Sequence, residues 1–233
     1  MSIAVTVTSD FICPWCLIGH RRLARAIRAL PADTGVEVRW QPFELNPDMP
    51  AEGMDRKVYR ALKFGSWERG RQLDAQTVTA AHGDDVAFDY DAIEKTVNTF
   101  QAHRLMRFAQ RHGVADALGK ALLSAYFEQG RDIGNRATLA EIAAEQGLDR
   151  NAAATFLAGE EENDAVRAVE RGLRDAGIRS VPSIDIEGEV ISGAQPVEVF
   201  TDALLRAADR AGGREAAGGV NAPTPHVPTP GAV

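Results

Sequence analysis

Between Ile3 and Trp40 the hydrophobic period changes twice, and that double change limits the folds open to the chain. Ile3, Val5 and Val7 fall on one face of an alternating run from Ile3 to Thr8, the signature of a strand. After a turn through Ser9, Asp10, Phe11 and Ile12 the spacing becomes helical. Cys16, His20, Leu23, Ile27 and Leu30 form one stripe from Pro14 onward, and Arg21, Arg22, Arg25 and Arg28 lie largely off it. Proline suits a first helical turn, where its missing N–H costs nothing. Pro31 and Gly35 end the helix, and Val36, Val38 and Trp40 alternate again. Strand, helix and strand in this order predict a right-handed parallel crossover.

The turn at the carboxyl end of the first strand leads into Cys13-Pro14-Trp15-Cys16, which holds both cysteines of the 233-residue chain. A free thiol with a pKa of about 8.5 is mostly protonated at neutral pH, so a disulfide exchanger needs something to stabilise the anion. The amino end of a helix does so with unpaired N–H groups and the positive pole of its dipole. Cys13 is placed there as the nucleophile, and Cys16, one turn on, as the resolving thiol. On spacing alone the pair serves equally as half of a zinc site, with His20 as a third ligand and His82, His103 or His112 as a fourth. The strand-turn-helix context favours redox chemistry. A packed histidine is the reading of His20, a local hydrogen-bond acceptor that of Asp10, and core positions those of Trp40 and Phe43.

From Asn46 to about Gly159 the periodicity is helical, without a clear strand. The segments are Tyr90 to about His112, stopping at Gly113, then Ala115–Gln129, Thr138–Gln146 and Asn151–Leu157. An amphipathic helix over Asp164–Asp175 precedes strand character at Ser183–Ile186, a turn at Glu187-Gly188, and a return through Val190 and Ile191. A last helix runs from about Pro196 to Ala211. Residues 212–233, rich in Gly, Pro, Ala and Thr, read as a disordered tail.

Val181-Pro182 stands immediately before the third strand, where proline removes no central ladder bond. With the dithiol, it makes the chain resemble the DsbA-like thioredoxin family, in particular its FrnE-type branch, from Ile3 to about Ala211. The match is carried by Ser9-Asp10-Phe11-Ile12-Cys13-Pro14-Trp15-Cys16-Leu17-Ile18-Gly19, Pro42-Phe43-Glu44-Leu45-Asn46-Pro47, Asn98-Thr99-Phe100-Gln101-Ala102-His103-Arg104-Leu105, and Val181-Pro182 through Ser192-Gly193-Ala194-Gln195-Pro196. The resemblance implies an α/β, thioredoxin-like fold with a large all-helical insertion that roofs the active site. Residues 1–47 and 164–211 would form the thioredoxin-like domain and 48–163 the insertion. It also implies a cis Val181-Pro182 bond whose backbone, with Pro14 and Trp15, receives substrate. Asn98, Thr99 and His103 would share one helix beside the cleft, with Asn98 and His103 as candidate cleft residues.

These readings converge on a thiol-disulfide oxidoreductase or isomerase. Its partners would be protein or small-molecule thiols and disulfides, and its redox group the Cys13-Cys16 disulfide, with no tightly bound cofactor or metal. A related branch includes kappa-class glutathione transferases and 2-hydroxychromene-2-carboxylate isomerase, which have a serine where this chain has Cys13. That branch typically has Asp-Arg where this chain has Ala194-Gln195. Glutathione is thus read as a co-substrate at most. The enzyme alternative is a glutathione-dependent isomerase or transferase acting on an aromatic or polyketide-like small molecule. The non-enzyme alternative is a zinc-holding or chaperone-like module. A net charge of -7 gives no footprint for nucleic acid. Without an apolar run of about 18 residues or a secretory signal, the expectation is a cytoplasmic protein with no membrane partner, compatible with a homodimer.

Overall fold

The computed structural model describes residues 2–218, with side chains through residue 210. Strand β1 (Ser2–Ser9), helix α1 (Pro14–Arg28) and strand β2 (Gly35–Pro42) realise the predicted unit. β1 and β2 are parallel, in register from Ser2 opposite Gly35 to Ser9 opposite Pro42. β5 (Ser183–Ile186) and β6 (Glu189–Ser192) complete a four-stranded sheet in the order β2-β1-β5-β6, with β5 antiparallel to β1. Positive φ at both Glu187 (51°) and Gly188 (88°) closes the β5–β6 hairpin with the twist that a two-residue loop requires. α1 packs on α9 (Val197–Gly218), and α9 lies against β1 and β5. α9 therefore continues seven residues past Ala211, where the sequence ends it. The rest of the expected tail, residues 219–233, lies outside the described residues.

Between β2 and α8 (Asn163–Asp175) come α2 (Arg56–Phe64), α3 (Trp67–Ala80), α4 (Phe100–Arg111), α5 (Ala115–Phe127), α6 (Arg136–Glu145) and α7 (Arg150–Ala158). Two departures from the sequence reading occur here. The region holds a short antiparallel pair, β3 (Met54–Asp55) with β4 (Lys95–Thr96), where no strand is expected. The helix read from Tyr90 begins only at Phe100, because the preceding backbone is bound elsewhere: Asp89 N donates to Phe127 O (2.8 Å), and Arg56 N to Glu94 O (2.9 Å). Ile93 and Val97 are buried nonetheless, so their spacing reports burial and not helix.

One apolar cluster joins β1 and α1 to α4–α7, from Ile3, Val5 and Leu23 to Leu118, Leu122, Ile142 and Leu157. The helices thus share the core of the sheet. Trp40 is central to the contact, stacked on His20 at 4.8 Å and on Phe11 at 6.1 Å. A Cβ on Gly119 would lie 2.6 Å from its ring, so glycine permits α5 to approach β2.

Candidate active site

β1 delivers the chain to a turn in which Cys13 N donates to Asp10 O (3.2 Å) and Cys16 N to Cys13 O (3.0 Å). Cys13 occupies the N-cap of α1 with extended backbone, and Pro14 is the first helical residue. The sequence thus puts one thiol at the mouth of the helix and the other within its first turn. Both are free and buried, Cys13 at 5% exposure and Cys16 at 1%. Burial raises the Cys16 thiol well above its ordinary pKa, and the hydrogen bond and charge of Cys13 raise it further. Trp15 projects outward at 41% exposure.

The Val181-Pro182 bond is cis, and Cys13 Sγ donates to Val181 O at 3.6 Å. Two contacts hold this loop in place: Gly193 N donates to Pro182 O (2.8 Å), and Ser183 pairs with Thr8. Gly19 of α1 faces the proline closely; a Cβ there would lie 3.0 Å from Pro182 Cγ.

Behind the turn is a buried polar cluster whose members the sequence displays separately. Asp10, 0% exposed, accepts from Leu45 N at 2.7 Å, so its bond is long-range and not the local one expected. Its other oxygen lies 3.5 Å from His103 Nε2, outside good hydrogen-bond geometry, and both atoms lack a partner among the described residues. Glu44 pairs with Arg167 and its N–H donates to Glu170 (2.9 Å). Burial and the charge of Glu170 push the Glu44 carboxyl up to about 7, against the pull of His103 and Arg167. Glu170 and Arg167 carry no motif that would mark them beforehand.

Asn98 precedes α4 instead of lying within it. It accepts from Phe100 N (2.9 Å) and donates to Met49 O (2.7 Å), tying two loops together, whereas His103 comes to Asp10. His20, stacked on Trp40 and 3.4 Å from Asp116, is kept toward its neutral form by burial. Among the described residues no three His, Cys, Asp or Glu side chains gather as a metal site, and no helix is long and apolar enough to cross a membrane.

A cavity of about 330 Å³ opens beside the dithiol, walled by Cys13 and Trp15 on one side and by α2 and α3 on the other. α2 escaped individual notice in the sequence, yet it supplies Tyr59, Arg60 and Lys63 to this wall.

The model of the DSBA-like thioredoxin domain matches residues 4–205. Among solved structures, a probable DsbA oxidoreductase from Streptomyces coelicolor superposes with a TM-score of 0.80 at 29% identity, covering 97% of this chain and 94% of that one. A 2-hydroxychromene-2-carboxylate isomerase superposes at 0.69 and 14% identity, covering 91% and 98%. The cytosolic disulfide reductase DsbM of Pseudomonas aeruginosa, solved with glutathione, superposes at 0.61 and 17% identity, covering 91% and 99%. The last two show likeness of fold alone.

Proposed function

Because this chain belongs to the DSBA-like thioredoxin domain family, a family of thiol oxidoreductases and isomerases, we propose that it exchanges disulfides through Cys13 and Cys16. The observation that carries this reading is the placement of Cys13: at the N-cap of α1, with its sulfur against the Val181 carbonyl and Cys16 one turn behind. Cys13 thiolate attacks a substrate sulfur and forms a mixed disulfide, which the Val181-Pro182 backbone, Pro14 and Trp15 flank. Cys16 then attacks Cys13 Sγ and releases the reduced substrate. In the reverse direction a reduced substrate attacks the Cys13-Cys16 disulfide.

The raised pKa of Cys16 suits the second role, since a protonated thiol waits while its neighbour reacts. Glutathione serves as a co-substrate in this scheme, and its abundance in a reducing cytoplasm fits an exchanger without structural disulfides. Trapping tests the proposal. Cys16→Ser accumulates a mixed disulfide at Cys13 that mass spectrometry identifies, and Cys13→Ser abolishes insulin reduction. Absence of any adduct together with unchanged insulin reduction sinks it.

A further inference from the structure

The cavity beside the dithiol has a charge pattern that a peptide-binding groove does not need. Ile12, Cys13 and Trp15 line it, but Val181 and Pro182 do not, so the cis-proline loop forms no part of its wall. Arg56 donates to Asp74 at 2.7 Å and Arg60 pairs with the same carboxylate, which leaves one positive charge in excess. Lys63 Nζ is held by neutral oxygens, Asn46 Oδ1 (2.8 Å) and Tyr59 OH (2.7 Å), and adds a second. Three cations against one carboxylate give the wall a surplus of two positive charges, although the whole chain carries -7. Tyr59, Phe64 and Tyr90 line it with rings. A volume of about 330 Å³ is at the small end of ligand cavities, which span roughly 300–1,000 Å³, and suits a single ring with substituents.

We propose that this cavity binds a small aromatic disulfide or thiol bearing a carboxylate, with the ring among Tyr59, Phe64 and Tyr90, the carboxylate toward Lys63 and Arg60, and the sulfur at Cys13. The proposal rests on the exchange chemistry above and names its substrate class. Cys13 thiolate attacks one substrate sulfur; the Cys13-substrate S–S bond forms, the substrate S–S bond breaks, and one aryl thiolate leaves. Cys16 gives its proton to solvent, attacks Cys13 Sγ, and expels the second aryl thiolate. Two electrons pass from the dithiol to the substrate. A low-molecular-weight thiol such as glutathione restores the dithiol by two further exchanges and becomes its own disulfide.

The test follows the second-order reaction of the reduced full-length protein with two disulfides by stopped-flow absorbance: dianionic dithiobis(nitrobenzoate) and neutral dithiodipyridine. Lys63→Glu is compared with Lys57→Glu, an equal charge change at an exposed position of α2 outside the cavity wall. Both lysines are exposed, but Lys63 lines the cavity and lies nearer the bound carboxylate, and the Coulomb energy falls with distance and with screening. The anionic-to-neutral rate ratio therefore falls at least about tenfold in Lys63→Glu, by an intermediate amount in Lys63→Gln, and less than about twofold in Lys57→Glu. Using a ratio removes any change in thiol reactivity common to both probes. An unchanged ratio in Lys63→Glu, or equal falls at both positions, overturns the cavity proposal alone. Failure of the unsubstituted protein to react with either disulfide overturns the exchange chemistry and the cavity proposal together.

Discussion

At the scale of single residues, the polar groups behind the dithiol are held by partners far away in sequence. Asp10 accepts from Leu45 N across 35 positions, and among the described residues that amide has no other acceptor. Asp10→Ala leaves the amide unpaired, so a loss of about 1–3 kcal/mol is expected in urea unfolding. Asp10→Asn, which keeps an acceptor oxygen, loses less; equal losses would show that the bond to Leu45 is not what matters. Glu44 sets a pH dependence. Its carboxyl is raised from 4.5 to about 7 by burial first and Glu170 second, so the folded state holds a proton there that the unfolded state has released. Its contribution is fully present below pH 4.5 and is lost as pH rises through about 7. Glu44→Gln flattens this part of the stability-pH curve; a curve of unchanged slope counts against the assignment. Cys13 and Cys16 were legible from their spacing and the strand-turn-helix context, and Val181 and Pro182 beside them from the family resemblance. The Asp10–His103 approach was not, since neither residue's neighbours encode a contact 93 positions apart.

Among the elements, legibility followed the length and clarity of the hydrophobic period. β1, β2 and β5 and helices α1, α5, α6, α7 and α8 begin within two residues of where alternation or helical spacing starts. β3 and β4 are two residues long, too short for any period, and exist because tertiary contacts bring Met54 opposite Thr96. Segment 90–99 misleads for a related reason: Ile93 and Val97 are four apart because both face the core, while Asp89 and Glu94 give their backbone bonds to other elements. The α5–β2 contact yields a sharper test. A Cβ on Gly119 would meet three atoms of the Trp40 ring at 2.6–2.9 Å, and His20 stacks on that ring while Asp116 accepts from its Nε1. Gly119→Ala should therefore destabilise by about 1–3 kcal/mol through overpacking, despite alanine's better helix propensity. A rise in melting temperature would show that the ring has room to move.

For the whole molecule, one shared core explains how a small sheet presents a precise site. The sheet supplies the turn before Cys13 and the strand after Pro182, and the helices between β2 and α8 supply the wall facing Cys13. The sequence displayed the first of these contributions plainly, since the dithiol follows the turn after β1 and the Val181-Pro182 pair immediately precedes β5, both strands that the hydrophobic pattern marks. It displayed the second only as unassigned helical periodicity, because a cavity wall depends on how α2 and α3 turn at Gly65 and Ser66 and not on spacing. The central claim, that Cys13 and Cys16 form one reversible two-electron couple, is tested most directly by redox titration of the purified protein in glutathione buffers, read by mass after acid quench. The account predicts a single transition between the free dithiol and the intramolecular disulfide, within the range of about -270 to -120 mV spanned by thioredoxin-like exchangers, and its loss in Cys13→Ser and Cys16→Ser. A protein that keeps both thiols free across that range, or only accumulates glutathione adducts, would contradict it.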